Sequence, residues 1–154
     1  QVIVTINNLE VLLSSHFNIA VGTTSMRTLE SLYWYGVKLI RDPDEEFIIH
    51  QFDPYSLPAH FTVEAALKAI ITKMKKENLQ SITGKTSIMI MPGYPFKVTN
   101  GLITNFHQPG STLMLLVAAF IGPSWKRIYE TALQNDYRFL SYGDSSLLLP
   151  DYSN

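Results

Sequence analysis

The sequence has 154 residues, 46% of them hydrophobic, a formal net charge of -1 and no cysteine. This length and apolar content suit a single domain with one core and exclude disorder as a description of the whole. The near-neutral charge excludes a strongly basic chain, so contact with nucleic acid would rest on a local patch or on segments outside this sequence. Without cysteine there is no disulfide, no thiolate nucleophile and no cysteine-held zinc or iron–sulfur centre.

The four histidines, His16, His50, His60 and His107, show no metal-ligand spacing, and no metal is expected. Gln1 is followed by Val2-Ile3-Val4 with neither a charged leader nor a cleavage site, so no signal peptide is read and a cytoplasmic protein is expected. The absence of an initiator Met suggests a fragment of a longer chain. The longest apolar run, residues 113–121, is about half of the ~20 residues that span a bilayer, which predicts a buried helix and no membrane partner.

In chain order, Thr5 can cap a helix carrying Ile6, Leu9 and Leu13 on one stripe. Residues 17–21 form a short apolar run ended by Gly22, the pattern of a buried strand. Gly22-Thr23-Thr24-Ser25 then opens a helix with Met26, Leu29 and Tyr33 on one face, and Gly36 reads as its end. Strand, glycine turn and helix is the local order of a ligand loop: backbone N–H groups and the Thr and Ser hydroxyls can receive a carboxylate, a ribose hydroxyl or a phosphate. The plain alternative is that Thr23 or Thr24 caps the helix.

Residues 37–40 and 47–50 read as short strands, and residues 51–61, with Pro54 and Pro58, as a connecting loop. The clearest helix covers residues 62–78, with Val63, Ala66, Leu67, Ile70, Ile71 and Met74 on one face. Its terminal Lys73, Lys75 and Lys76 complement the helix dipole. Residues 87–91 read as a buried strand stopped by Pro92-Gly93-Tyr94-Pro95, and residues 102–104 as another strand leading into a polar loop. Ser111 or Thr112 caps a helix that is apolar all round. Ser124 caps the next, with Trp125, Ile128, Tyr129, Ala132 and Leu133 on its apolar stripe; residues 146–149 form a last strand.

Helices alternating with short strands predict an α/β fold, a layered α/β/α domain with a largely parallel sheet. Ligands gather at strand ends in such sheets. The loops at residues 22–25, 105–112 and 141–144 are therefore candidates to meet at one edge. His107 is the one histidine in a loop dense with polar groups, where it can act as a general acid or base or simply hydrogen-bond the turn before Pro109. Asp144 can bind a ribose diol, orient His107, or close an Asx-turn. No Ser-His-Asp triad is indicated.

Three blocks, taken in order, resemble the signatures of one family. They are Val21-Gly22-Thr23-Thr24-Ser25-Met26-Arg27-Thr28-Leu29-Glu30, then Thr104-Asn105-Phe106-His107 with Pro109 and Ser111-Thr112-Leu113, then Tyr137-Arg138-Phe139 with Ser141-Tyr142-Gly143-Asp144. The Pro92-Gly93-Tyr94 turn and Phe96-Lys97-Val98 add to the likeness, which covers residues 19–149. The family is the S-adenosylmethionine:tRNA ribosyltransferase-isomerases of queuosine biosynthesis.

The resemblance implies an enzyme that moves and rearranges the ribosyl group of S-adenosylmethionine onto 7-aminomethyl-7-deazaguanine in tRNA, giving epoxyqueuosine and releasing adenine and methionine. S-adenosylmethionine would be the ribosyl donor, and tRNA bearing the 7-deazaguanine precursor the partner. It also implies that residues 1–154 are one α/β domain from the C-terminal part of a two-domain enzyme, whose β-barrel domain lies outside this sequence.

On the family-like positions, His107 and Asp144 are assigned to catalysis. Thr23, Thr24, Ser25, Arg27, Asn105, Ser111, Thr112 and Tyr142 are assigned to the S-adenosylmethionine site, with Arg27 and Glu30 as a buried pair ordering their helix. Gln108 stands where Leu is usual, Gly110 where Lys or Glu is usual, Met26 where Val is common, and Ser145-Ser146 where a small and an apolar residue are usual. Gln108 and Gly110 lie in the central loop, so a changed substrate preference is in play. The alternative readings are a diverged paralogue acting as another nucleoside-modifying enzyme and a non-catalytic RNA-binding module.

Overall fold

The computed structural model describes residues 1–108 and 110–151. Strand β1 (Val2–Thr5) runs directly into helix α1 (Ile6–Ser14), whose N-cap is Thr5, as its side-chain chemistry predicts. Thr5 and Asn8 bond each other's backbone N–H groups in a reciprocal box. Strand β2 (Ile19–Val21) leads through Gly22 into the 19-residue helix α2 (Thr23–Arg41). Strand β3 (Ile48–Ile49) and the short helix α3 (Asp53–Ser56) precede α4 (Val63–Lys76), which Thr62 caps through the Ala65 N–H. Strands β4 (Ser81–Thr86) and β5 (Gly101–Asn105) follow, then helices α5 (Thr112–Ile121) and α6 (Ser124–Gln134) and strand β6 (Ser145–Leu148).

The strands form two three-stranded sheets, ordered β1-β4-β3 and β2-β5-β6. In each, one pair is parallel and the other antiparallel: β3/β4 and β2/β5 are parallel, β1/β4 and β5/β6 antiparallel. A mixed α/β chain is thus observed, with two small mixed sheets in place of the expected largely parallel one. Alternation of helices and strands predicts crossovers, but it does not reveal that β1 and β6 join their sheets in the opposite sense.

The core is built around α2 packed on α4. Tyr33, Trp34, Leu32 and Met26 of α2 and Leu67, Ile70 and Met74 of α4 are fully buried, each large side chain contributing about 1.5–3 kcal/mol. Gly36 lies inside α2 rather than at its end, and residues 37–40 continue the helix instead of forming a strand. A Cβ at Gly36 would run into the Ala66 carbonyl of α4. The glycine is there to let two helix backbones approach, a reason invisible in one stretch of sequence.

Other local expectations shift for similar reasons. Residues 87–91 are extended, with Ile88 and Ile90 buried, and bond through Ser87 N to Ile49 O and Met89 N to Gln51 O. They do not join a ladder, because the partner chain turns away into α3. The regular strand is instead β4, whose polar sequence SITGKT hides an alternating burial pattern. Strand β2 is buried on one face only, at Ala20, and Ile19 and Val21 are exposed. Helix α5 likewise leaves Leu115 exposed despite its apolar sequence, and α6 is entered from Pro123, with Ser124 already helical and no side-chain cap.

Candidate functional site

Three loops meet at one edge of the second sheet. The C-terminal ends of β2 and β5 lie side by side, with Val21 opposite Ile103 and the Gly22 N–H on the Ile103 carbonyl at 2.8 Å. Because β6 is antiparallel to β5, its first residue, Ser145, pairs with Asn105 at that same edge. The loops at residues 22–25, 105–112 and 138–144 therefore converge. Leu140 N donates to Phe106 O at 2.9 Å, tying the last loop to the central one.

The first loop is the start of α2. Gly22 is its N-cap at φ 90°, a left-handed conformation that favours glycine, and no side chain caps the helix. Thr23 and Thr24 are thus helical residues rather than caps, with Thr23 half-buried and Thr24 and Ser25 exposed. An uncapped N-terminus leaves backbone N–H groups and the positive end of the helix dipole directed at the edge.

Arg27 stands in the next turn, and burial lowers the pKa of its guanidinium from the usual value. Its Nε is buried with no hydrogen-bond partner among the described residues, so this donor can serve a ligand acceptor. Arg27 does not form the expected pair with Glu30. The Glu30 carboxylate is fully buried and taken up elsewhere: Oε1 accepts Val98 N and Thr99 N, and Oε2 accepts Lys97 N and the Tyr94 hydroxyl, all at 2.9–3.0 Å. Burial pushes its pKa up, against the pull of those four donors.

In the central loop, Thr104 Oγ1 and His107 Nε2 are 2.9 Å apart, and the His107 N–H donates to the Tyr129 hydroxyl at 3.1 Å. Burial holds the His107 ring below the usual histidine pKa. Asn105 Oδ1 accepts from Ser145 Oγ at 2.9 Å. Ser111 caps α5 through the Met114 N–H and donates its own hydroxyl proton to Gln108 O, so its side chain is occupied in shaping the loop. Thr112, the first residue of α5, is exposed. Gly110 has φ 79°, which accounts for a glycine at this departure from the family pattern; Pro109, expected to shape the same turn, lies outside the described residues.

Asp144 closes its own loop: Oδ2 accepts Arg138 N at 2.7 Å, and the Asp144 N–H donates to Arg138 O at 2.8 Å. The side chain thus closes the loop onto a residue six positions earlier rather than forming an Asx-turn, and among the described residues no hydrogen bond joins Asp144 to His107. Tyr142, at the tip of that loop, is 97% exposed. Thr104 and Tyr129, which hold His107, are absent from the sequence-based site because each sits on a packing pattern. The signal available was the hydroxyl itself, since a buried Tyr or Thr oxygen needs a partner.

An open groove of about 810 Å³, lined by Tyr35, Glu45, Phe47, Lys73, Ser81 and Lys85, lies away from this edge. Among the described residues no cluster of three metal-ligating side chains occurs, and no helix is long and apolar enough to cross a membrane.

The chain is of the α/β class, with an uncapped helix start and polar loops at one end of its second sheet, the place where ligands gather in α/β sheets. The queuosine biosynthesis proteins match residues 10–148, and the chain belongs to that family. It is 59% identical over 69 residues to an S-adenosylmethionine:tRNA ribosyltransferase-isomerase of Dinoroseobacter shibae, covering 44% of this chain and 20% of the relative. To the protein of that name from Xanthobacter autotrophicus it is 46% identical over 94 residues, 59% of this chain and 26% of the relative. A crystal structure of the S-adenosylmethionine tRNA ribosyltransferase of Thermotoga maritima superposes with a TM-score of 0.62 at 30% identity, over 96% of this chain and 40% of that one. The chain thus spans well under half the length of these relatives.

Proposed function

We propose that this chain is the C-terminal α/β portion of a cytoplasmic S-adenosylmethionine:tRNA ribosyltransferase-isomerase, with a β-barrel domain elsewhere in the full-length protein. The enzyme transfers and rearranges the ribosyl group of S-adenosylmethionine onto 7-aminomethyl-7-deazaguanine in tRNA, giving epoxyqueuosine, without a metal. The observation that carries the reading is the convergence at one sheet edge of the three sequence blocks that resemble the family.

In this reading the uncapped start of α2, with Thr23, Thr24, Ser25 and the buried Nε of Arg27, receives acceptor groups of S-adenosylmethionine. Asn105, Ser111, Thr112 and Tyr142 line the rest of the site. His107 acts as the acid/base group, and Asp144 contributes by holding residues 138–144 in place. S-adenosylmethionine supplies an activated ribose whose adenine must depart, and preorganised donors are suited to relieve the charge that develops.

The test is mass spectrometry of nucleosides from precursor-bearing tRNA incubated with S-adenosylmethionine and the full-length protein. Epoxyqueuosine is the expected product. Cofactor binding without that product would instead indicate another nucleoside-modifying enzyme, and no cofactor binding an RNA-binding module.

A further inference from the structure

His107 is gripped from two sides. Thr104, 6% exposed near the end of β5, presents Oγ1 to Nε2 of the ring. Tyr129, 7% exposed on α6, accepts the backbone N–H and is wedged edge-on against Phe106, Phe139 and Trp125 at centroid distances of 5.4, 6.0 and 6.2 Å. Neither hold depends on a ligand.

The hydroxyl bears on the ring's tautomer, because the 2.9 Å contact fits either direction of donation. A buried threonine O–H has one proton to donate, and leaving it without an acceptor costs about 1–3 kcal/mol. Among the described residues, the acceptor that meets Thr104 Oγ1 is His107 Nε2. With the Nε2 lone pair taken, a neutral imidazole carries its proton on Nδ1. Nδ1 makes no hydrogen bond among the described residues, so its N–H is left for a ligand. Burial disfavours the imidazolium, which keeps the ring in this neutral form near pH 7.

Resting on the reading of His107 as the group that acts on substrate, we propose that Thr104 and Tyr129 are positioning residues that fix His107 with its proton on Nδ1, making it a hydrogen-bond donor to charge developing on the leaving group. This narrows the acid/base reading of His107 to an electrostatic one: the neutral ring donates a hydrogen bond from Nδ1, and no proton is transferred. By occupying the second nitrogen, Thr104 would hold a neutral imidazole donor of this kind in one tautomer.

Two-bond proton–nitrogen NMR correlations in the full-length protein, labelled with ¹⁵N-histidine, read the tautomer directly. The Nδ1–H form is expected for His107 in the wild type and in Thr104→Ser, and its loss is expected in Thr104→Val. An Nε2–H ring in the wild type overturns the proposal, whether or not the variants fold. In the full-length protein, Thr104→Val should lower kcat on the order of tenfold with little change in KM for S-adenosylmethionine or tRNA, and Thr104→Ser should restore it. Tyr129→Phe, which keeps the ring, should speed exchange of the His107 amide proton and lower kcat in the same way. Wild-type kcat in both Thr104→Val and Tyr129→Phe, with His107→Ala inactive, overturns the positioning roles. Undiminished kcat in His107→Ala overturns the underlying reading of His107 instead.

Discussion

Glu30 is a charge removed from water and held by four donors, three of them backbone N–H groups of consecutive residues Lys97, Val98 and Thr99. The fourth, Tyr94, accepts in turn from Trp34 Nε1 at 2.7 Å, so one carboxylate joins α2 to the turn before β5 and to the aromatic core. Such a group is costly to bury and costlier to leave half-satisfied. Glu30→Gln keeps the shape but turns an NH2 group toward backbone donors. It should lower stability by about 2–3 kcal/mol, read as a drop in the urea midpoint. A midpoint equal to wild type would remove Glu30 from its bracing role. The sequence marks Glu30 as important through its place in a family-like block, yet suggests Arg27, three residues away, as its partner. The true partners lie more than sixty residues further on and are mostly backbone, which no side-chain pattern can announce.

Helix α2 shows what is legible at the level of elements. Helix starts capped by Thr5, Thr62 and Ser111 are readable because a cap is local chemistry between a side chain and an N–H three residues on. Where α2 ends is not legible in the sequence because glycine has two uses, stopping a helix and admitting a neighbour, and the choice belongs to the partner helix. The strands suffered similarly. Strand β4 has a polar face and a central glycine, whereas residues 87–91 have the apolar composition of a strand but keep only the bonds from Ser87 and Met89 to residues 49 and 51 before that neighbour turns into α3. The crossing of α2 and α4 is tested by Gly36→Ala. In an isolated helix this change would stabilise by about 1 kcal/mol. Here the added methyl meets the Ala66 carbonyl, so a net loss of about 2 kcal/mol and a fall in Tm of about 5 °C by calorimetry are expected. A raised Tm would mean that the helices separate freely at this point.

For the whole molecule, the decisive feature is the direction of β6. Had it joined the sheet parallel to β5, the loop before it would lie at the opposite edge from the loops after β2 and β5. Its antiparallel pairing brings residues 138–144 to the central loop, with Leu140 bonded to Phe106 next to His107, at the edge where β2 and β5 also end. The strand ends that carry the loops at residues 22–25, 105–112 and 141–144 thus share one edge, through a topology that the expected parallel sheet would not have supplied. The family-like blocks were visible in the sequence as polar residues at strand ends. Their mutual placement was not, since it depends on pairings such as Asn105 with Ser145 across forty residues. Hydrogen–deuterium exchange on the full-length protein, with and without S-adenosylmethionine, tests the central claim that these loops form one binding edge. Protection is predicted together in residues 22–27, 104–112 and 138–145; protection confined to the groove around Glu45, Phe47 and Lys85, with these three segments unchanged, would contradict it.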